Sequence, residues 1–285
     1  MAGRERRGPA GRAAMVVGGV LIVAWSLAPL YWGAVVSLST PVGLKSVPPS
    51  LIPHPVTTTY YSQLLNGHED ASVRYLTAIR NSVIEATATT LLTITFAFTA
   101  AYAFARWRFR GSSALFYVIL GTLSLPVYAV LIPLFQFASD IHSVGSFSSV
   151  ILILTSSTLP LAVWILRSHI ASLPTDIENA ARLDGASSFT VFWRIVMPLS
   201  RPGIAAAAVI VFLGTWSNFL IPLTFAPTDR TKPITVLIPE FASRYSQNYG
   251  LQATAGIIAL LPPVLVVVWL NRYLLSGLLR GALNH

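Results

Sequence analysis

Residues that could carry out catalysis are few and scattered in this chain. Its five histidines lack H-x-x-x-H spacing and do not stand among clustered acids, so no metal site is predicted. The two lysines, Lys45 and Lys232, do not follow a glycine-rich turn, so the chain has no phosphate-binding loop for ATP. It also lacks a G-x-S-x-G nucleophile turn, and the absence of cysteine excludes disulfides and thiolate metal sites. We therefore expect no catalytic site, metal or cofactor in the chain itself.

Glu85 is the one acidic residue inside a long apolar segment. An ionisable group in a membrane segment is costly and often has a function, so Glu85 could contact a substrate. Alternatively, its position one turn inside the segment allows it to reach headgroup water or to pair with Arg80. The shallow position favours this second interpretation.

Composition places the chain in a membrane. Hydrophobic residues make up 54% of it and charged residues only 10%, whereas soluble chains have about 25% charged residues. A transmembrane helix needs about 20 apolar residues. Six such segments occur, at 14–38, 82–105, 113–136, 147–167, 203–226 and 253–272. The first is too long for a signal peptide and has no clear cleavage site, so we expect an uncleaved span. The sequence therefore predicts an all-α integral membrane protein with six transmembrane helices.

Basic residues determine the predicted orientation. Thirteen lie on one side of the spans: before the first, between the second and third, between the fourth and fifth, and at or after the end of the sixth. The other side has six, spread over longer segments: Lys45, Arg74, Arg80, Arg230, Lys232 and Arg244. Because loops rich in basic residues stay in the cytoplasm, both termini are predicted to be cytoplasmic. The net charge of +9 is thus assigned to orientation and not to nucleic-acid binding.

The segment 39–80 is predicted to be external and irregular. Four prolines cannot continue a helix there: Pro48, Pro49, Pro53 and Pro55. Two short surface helices are expected further on, at Thr59–Leu65 and Val73–Ile79. The segment is either a plain surface loop or a docking surface for an external partner.

The loop 168–202 is the longest on the cytoplasmic side. Thr175 and Glu178 have the spacing of a capping box, which predicts a helix starting just after Pro174. This helix should run to about Asp184, with Gly185 at the left-handed stop position.

Two faces of this loop are predicted from helical spacing. On the first helix, four residues share one face: Ile177, Ala180, Ala181 and Asp184. The small residues on this face leave a surface that another protein can approach closely. A second helix should begin at Ser187 or Ser188 and end at Pro198, with an apolar face of Val191, Phe192, Ile195 and Val196. Two short helices that meet at Gly185 form an elbow within the loop 168–202. Such short helices are marginal in water, so the elbow must pack either on its own chain or on another protein.

These residues resemble the EAA loop of bacterial ABC importer permeases, and in particular the carbohydrate-uptake branch related to the maltose permeases. The loop carries Glu178-Asn-Ala-Ala-Arg-Leu-Asp184-Gly185-Ala186, then Phe192, Ile195, Pro198-Leu199 and Pro202. The resemblance covers nearly the whole chain. It includes Pro48-Pro-Ser-Leu-Ile-Pro53 with Tyr60 and Leu64-Leu65, Asn81-Ser82, Ala100-Ala-Tyr-Ala-Phe-Ala-Arg106 with Phe109 and Gly111, Ile132-Pro-Leu-Phe135, and Trp216-Ser-Asn218-Phe-Leu-Ile-Pro222-Leu223.

The resemblance implies a type I ABC importer permease fold, in which the first helix of the elbow is the coupling helix. In that family the coupling helix sits in a cleft of a separate ATPase. Carried onto this chain, the docking residues would be Glu178, Ala180, Ala181, Asp184 and Gly185. The family often has two acids before the alanines, whereas the second position here is Asn179, which leaves one charged contact without its acid.

Polar and aromatic residues within the spans are candidates for the solute pathway. Trp216, Ser217 and Asn218 could hydrogen-bond a sugar hydroxyl while the indole stacks on its apolar face. Tyr128 and Gln136 could line the same cavity. Each of these residues could equally make hydrogen bonds between helices.

The leading hypothesis is thus a permease subunit without a nucleotide site. Its expected partners are a second permease, two ATPase subunits that bind ATP and magnesium, an external solute-binding lipoprotein, membrane lipids and a sugar. The expected regions are a cytoplasmic N-terminus 1–13, a first helix 14–38, the external segment 39–80, a permease core 81–272 and a cytoplasmic tail 273–285.

Two alternatives stay open at this stage. Glycerol-phosphate-type or other polar solutes could replace the sugar, although the spans lack basic residues at mid-depth, which favours a neutral one. A self-sufficient secondary carrier or a membrane enzyme is the alternative from another class. A carrier would need ion ligands near mid-bilayer and usually has inverted halves, and neither is visible in the sequence.

Overall fold

The computed structural model describes residues 9–242 and 248–270. Predictions for residues 1–8, for Arg244 and for the tail from residue 271 lie outside these described residues. Within them the chain forms α-helices and no β-strand: α1 Pro9–Ser37, α2 Thr59–Leu65, α3 Asp70–Arg106, α4 Ser112–Gly121, α5 Val127–Asp140, α6 Phe147–Ala171, α7 Thr175–Leu183, α8 Ser188–Val191, α9 Met197–Leu199, α10 Arg201–Trp216, α11 Leu220–Phe225, α12 Ile234–Leu237 and α13 Tyr249–Ala259. A π-helix, Phe192–Val196, joins α8 to α9.

Four described helices are long and apolar enough to cross a membrane: Met15–Ser37, Asp70–Arg106, Phe147–Ala171 and Tyr249–Leu270. Two further pairs qualify only when their halves are taken together, because each pair is sharply bent. Ser112–Ser124 and Val127–Asp140 meet at 96°, and Ser188–Leu199 and Arg201–Trp216 meet at 71°. The chain is therefore a helical protein with four to six membrane spans, and the total of six stays a prediction.

The second predicted span begins earlier than expected. α3 runs without a break from Asp70 to Arg106, so the separate surface helix predicted at Val73–Ile79 does not exist. Buried positions continue at helical spacing through that stretch, at Tyr75, Ala78 and Ser82. The other short helix is found as predicted, because α2 covers Thr59–Leu65.

The first of two compact units contains residues up to 73 and residues 238–259. In it, α1 packs along α13, and the irregular segment between α1 and α2 has a single β-bridge, between Ser39 and Val56. Tyr60 and Leu64 of α2 are buried. The Tyr60 ring lies so close to Gly250 of α13 that a side chain at Gly250 would overlap it.

Of the described residues, the second unit contains 74–237 and 260–270. Its core joins α3, α6 and α10 through Ala101, Leu166 and Ala207, which are all fully buried. Thr93 is hydrogen-bonded to Thr158 at 3.0 Å. Because Arg106 and Leu173 meet further along the same two segments, α3 and α6 run side by side in the same direction.

The fifth predicted span, 203–226, is broken near Pro222. α10 ends at Trp216 and α11 starts at Leu220. Pro222 has no N–H to donate to the carbonyl of Asn218, so that carbonyl loses its helical partner and instead accepts from Thr235 Oγ1 at 2.8 Å. The Asn218 side chain accepts from the Ile221 amide at 3.1 Å and so caps α11.

The segment 228–234 is fastened to α3 by polar contacts. Asn81 Nδ2 donates to the carbonyls of Asp229 and Lys232 at 3.3 and 3.0 Å, and Ser82 Oγ accepts from the Ile234 amide at 2.8 Å. Arg74 Nε donates to Asp229 at 2.9 Å, and this hydrogen bond holds the pKa of Asp229 below its usual value. These contacts join segments that the charge pattern assigns to the same side of the membrane.

The Asn81 contacts give a first prediction. Asn81→Ala removes both donors and leaves two backbone carbonyls without them, which should cost about 1–3 kcal/mol of local stability. Cleavage of a locally opened segment follows its opening free energy, so trypsin should cut after Arg230 roughly tenfold faster. Limited proteolysis of the purified membrane protein measures this rate. Arg80→Gln is the control, because Arg80 is exposed on the same helix; equal rates for both variants would contradict the assignment.

Candidate functional site

The elbow, residues 168–202, folds largely as its sequence predicts. α7 ends at Leu183, and Gly185 adopts a left-handed conformation with φ +89°. The amide of Ala186 donates to the carbonyl of Ala181 at 2.9 Å and that of Gly185 to Arg182 at 3.1 Å, which is the Schellman pattern of a helix stop. The turn therefore needs Gly185 for its backbone conformation. Nothing lies within 4 Å of a side chain built there.

The second limb of the elbow begins at the predicted cap, since Ser187 Oγ accepts from the Thr190 amide at 3.2 Å. It does not end at Pro198, because the π-helix continues into α9 as far as Leu199. The predicted apolar face packs on the core of the second unit: Val191 and Val196 are fully buried, and Phe192 and Ile195 lie against them.

Aromatic contacts hold this limb against the end of α3. The ring of Phe192 lies 5.2 Å from that of Phe98 and 5.1 Å from that of Tyr102, measured between centroids. Such tilted and edge-on ring pairs add about 0.5–1.5 kcal/mol each beyond the area they bury. The elbow thus packs on its own chain through its second limb, which answers part of the question that the sequence left open.

The predicted capping box is wrong. Pro174 occupies the N-cap position of α7, and no side chain caps that end. The carboxylate of Glu178 turns away from the helix start and accepts from Arg106 Nε at 2.7 Å. A capping box requires a Glu that is free to reach back, and a buried guanidinium is a stronger partner than one backbone amide.

Arg106 and Glu178 form a buried ion pair between the end of α3 and α7. Their side chains are 9% and 4% exposed. Arg106 Nη2 also donates to the carbonyl of Leu173 at 3.1 Å, and the Tyr102 hydroxyl donates to Glu178 Oε2 at 3.5 Å. A second cation, Arg182, approaches the same carboxylate at 3.8 Å but is 41% exposed.

The five predicted docking residues do not share one face. Ala180, Asp184 and Gly185 are exposed, whereas Ala181 is half-buried against the core and Glu178 is buried. The exposed side of the elbow carries three large apolar residues, Ile177, Leu183 and Phe189, with 45%, 90% and 74% of their surface accessible. The sequence analysis named Ile177 but not Leu183 or Phe189.

The residues predicted for the pathway lie at the broken fifth span and on α5. Trp216 is 8% exposed and its ring stacks on Phe212 with centroids 5.8 Å apart, whereas Ser217 is exposed. Asn218 is engaged in capping α11, as described above. Tyr128 and Gln136 of α5 are both exposed.

The favoured interpretation of Glu85, that it reaches headgroup water or pairs with Arg80, is wrong. Its side chain is buried at 3% exposure, while Arg80 is exposed, so the carboxyl reaches neither headgroup water nor that arginine. Within the described residues, Glu85 Oε1 has no hydrogen-bond partner. The physical reason is helical phase, because residues five apart on α3 point to different sides.

Sequence reasoning missed Arg106 and Asn81 as structural residues. Both occur in stretches that resemble the permease family, but their partners are 72 and about 150 residues away along the chain. Opposite charge at Arg106 and Glu178 was a signal, yet no spacing rule connects residues so distant.

The two buried glutamates form a matched pair for a second prediction. Both are 3% exposed, but among the described residues only Glu178 has a cation beside it. Glu178→Gln should cost on the order of 2 kcal/mol, because it leaves Arg106 buried without a counter-charge. That loss corresponds to a melting midpoint lower by roughly 4–8 °C in a chain of this size.

Glu85→Gln should leave the midpoint unchanged or raise it, because it removes an ionisable group that has no cation beside it. Thermal unfolding of the detergent-solubilised protein measures both variants side by side. A drop of similar size for Glu85→Gln would show that Glu85 has a charged partner.

Comparisons with known proteins identify the family of the chain. Residues 78–280 match the family described as "Binding-protein-dependent transport system inner membrane component". The chain is 29% identical to the trehalose/maltose transport system permease protein MalG of Thermococcus litoralis, over 96% of this chain and 97% of that protein. It is 34% identical to the osmoprotective compounds uptake permease protein GgtD of Synechocystis sp., over 73% and 70%.

Solved structures have the same fold. A bacterial ABC transporter involved in the import of the acidic polysaccharide alginate contains a chain that superposes with a TM-score of 0.77 at 18% identity, over 94% of this chain and 98% of that one. The methionine ABC transporter MetNI matches at a TM-score of 0.56 and 15% identity, over 78% and 99%. With a family match over more than two thirds of its length, the chain belongs to the inner-membrane components of binding-protein-dependent transport systems.

Proposed function

We propose that this chain is one of two related permease subunits of an ABC importer, that its elbow docks an ATPase, and that its cargo is a sugar or a related polyhydroxylated solute. The observation that carries the proposal is the two-sided elbow. Its inner side is anchored to the chain, and its outer side exposes Leu183 and Phe189 around the Gly185 turn. Large exposed apolar side chains grouped in this way are typical of a protein interface.

The ATPase subunits supply the nucleotide chemistry in this proposal, since the chain has no phosphate-binding loop. Two such subunits bind ATP and magnesium, and the second permease carries the other elbow. An external binding lipoprotein delivers the solute. Closure of the ATPases moves the elbow and turns the pathway outward, and hydrolysis resets it inward.

A carbohydrate cargo is supported by the relatives, one of which is named for trehalose and maltose. It also fits the sequence of α3, in which no basic residue lies between Arg80 and Arg106. An anionic cargo would call for a basic group at that depth. The exposed residues Ser217, Tyr128 and Gln136 are the side chains available for hydrogen bonds to hydroxyls, while Trp216 is largely covered.

The docking surface gives a third prediction. Leu183→Asp should leave the fold intact, because 90% of the Leu183 surface is accessible. It should weaken ATPase binding roughly tenfold or more, since it places a charge in the centre of an apolar contact. Co-purification of the ATPase subunit with the tagged chain measures binding. Val47→Asp is the control, because Val47 is also highly exposed but lies in the segment 39–80, which is predicted to be external. If Leu183→Asp retains the ATPase as well as this control does, the docking surface is refuted.

The orientation gives a fourth prediction, and the chain is suited to it because it contains no cysteine. Leu183→Cys should react with a membrane-impermeant maleimide only in inverted vesicles, whereas Val47→Cys should react in intact cells. Labelling is read on the band of this chain. If intact cells are labelled at position 183, the elbow faces outward and cannot meet an ATPase.

A further inference from the structure

The attachment of α7 to its own chain rests on one side chain. Among the nine residues of α7, Glu178 is the one that is buried, and its neighbours on the inner side contribute only the half-buried Ala181. The second limb is different, because it buries Val191 and Val196 and packs Phe192 against two rings of α3. α7 is therefore held mainly by an ion pair, and the second limb by apolar contacts.

Arg106 binds at two points, one in α7 and one just before it. It is the last residue of α3, and its guanidinium donates to Glu178 of α7 and to the carbonyl of Leu173, just before α7 begins. Both carboxylate and guanidinium are nearly excluded from water, so the contact is not screened as a surface ion pair would be. A displacement of α7 must stretch these hydrogen bonds or carry the end of α3 with it.

From this geometry we infer that Glu178 is a positioning residue that links the coupling helix to α3 through Arg106, and not a docking contact for the ATPase. The inference rests on the proposed function and changes one part of what the family resemblance implies. Docking falls to the exposed side of the elbow, and Glu178 with Arg106 transmits the movement to the membrane helix. Arg182 contributes less to this link, because it lies further from the carboxylate and is exposed.

The test separates ATPase binding from coupling in the assembled transporter in proteoliposomes. Three variants are compared with the wild type: Arg106→Gln, Glu178→Gln and, as control, Arg182→Gln. The measurements are the amount of ATPase subunit that co-purifies, the rate of ATP hydrolysis, and the uptake of trehalose delivered by the binding protein.

We expect Arg106→Gln and Glu178→Gln to retain the ATPase and to continue hydrolysing ATP. Solute moved per ATP should fall by roughly fivefold or more, as is typical when a residue that couples two sites is lost. The double variant should be no worse than the poorer single variant, because both changes break the same contact. Arg182→Gln should stay within about twofold of the wild type, as expected for an exposed pair.

Loss of the ATPase from Glu178→Gln but not from Arg106→Gln would overturn the inference, because it would make Glu178 a docking contact. Unchanged solute per ATP in both variants would overturn it as well. If Arg106→Gln does not fold, Arg106→Lys is used in its place, because it keeps the positive charge. A folded Arg106→Lys variant with reduced solute per ATP would support a directional link through the guanidinium. Wild-type solute per ATP in this variant would contradict such a link. Failure of the wild-type chain to bind any ATPase would instead refute the proposed function, and would be seen before any variant is compared.

Discussion

Inside a membrane or a packed core, a backbone carbonyl or a charge has no water to bind, and leaving it unpaired costs several kcal/mol by an order-of-magnitude estimate. The second unit meets this constraint at two places where a helix breaks or ends. The carbonyl of Asn218, which Pro222 deprives of a helical donor, takes the hydroxyl of Thr235. The charge of Arg106 at the end of α3 takes Glu178. Satisfying these groups decides where α10 stops and how the elbow is attached.

The two limbs of the elbow are held by different kinds of contact, an ion pair in the first and apolar contacts in the second. Ring and aliphatic contacts hold its second limb, and they tolerate small changes in angle because dispersion has little directionality. The ion pair of the first limb is directional and buried, so it is either made or broken. A helix held in this way moves as a body with its partner. Its other side is left with apolar side chains, such as Leu183, that have nothing of their own chain to cover them.

Local sequence patterns predicted much of this structure. The helix α2, the stop at Gly185, the cap at Ser187 and the buried face around Val191 follow from short-range rules on spacing and turn chemistry. Four of the six long apolar segments correspond to single helices that are long enough to cross a membrane. In these cases the residues that decide the structure lie within about one or two turns of each other, which is the range that such rules cover.

Two of the failures involve a distant partner. The capping box does not form because Glu178 binds Arg106, which lies 72 residues away along the chain. The extension of α3 through 73–79 brings Arg74 to Asp229, an ion pair that no local pattern contains. The break in the fifth span has a local origin, because Pro222 has no N–H for the carbonyl of Asn218, which accepts from Thr235 instead.

The two buried glutamates show why residue type and depth alone do not define a site. Glu85 and Glu178 are equally hidden, each with 3% of its surface exposed. Glu178 is paired with Arg106, so its charge belongs to the structure that positions the elbow. Glu85 Oε1 has no partner in the described part of the chain, so burying its charge is not offset by an ion pair.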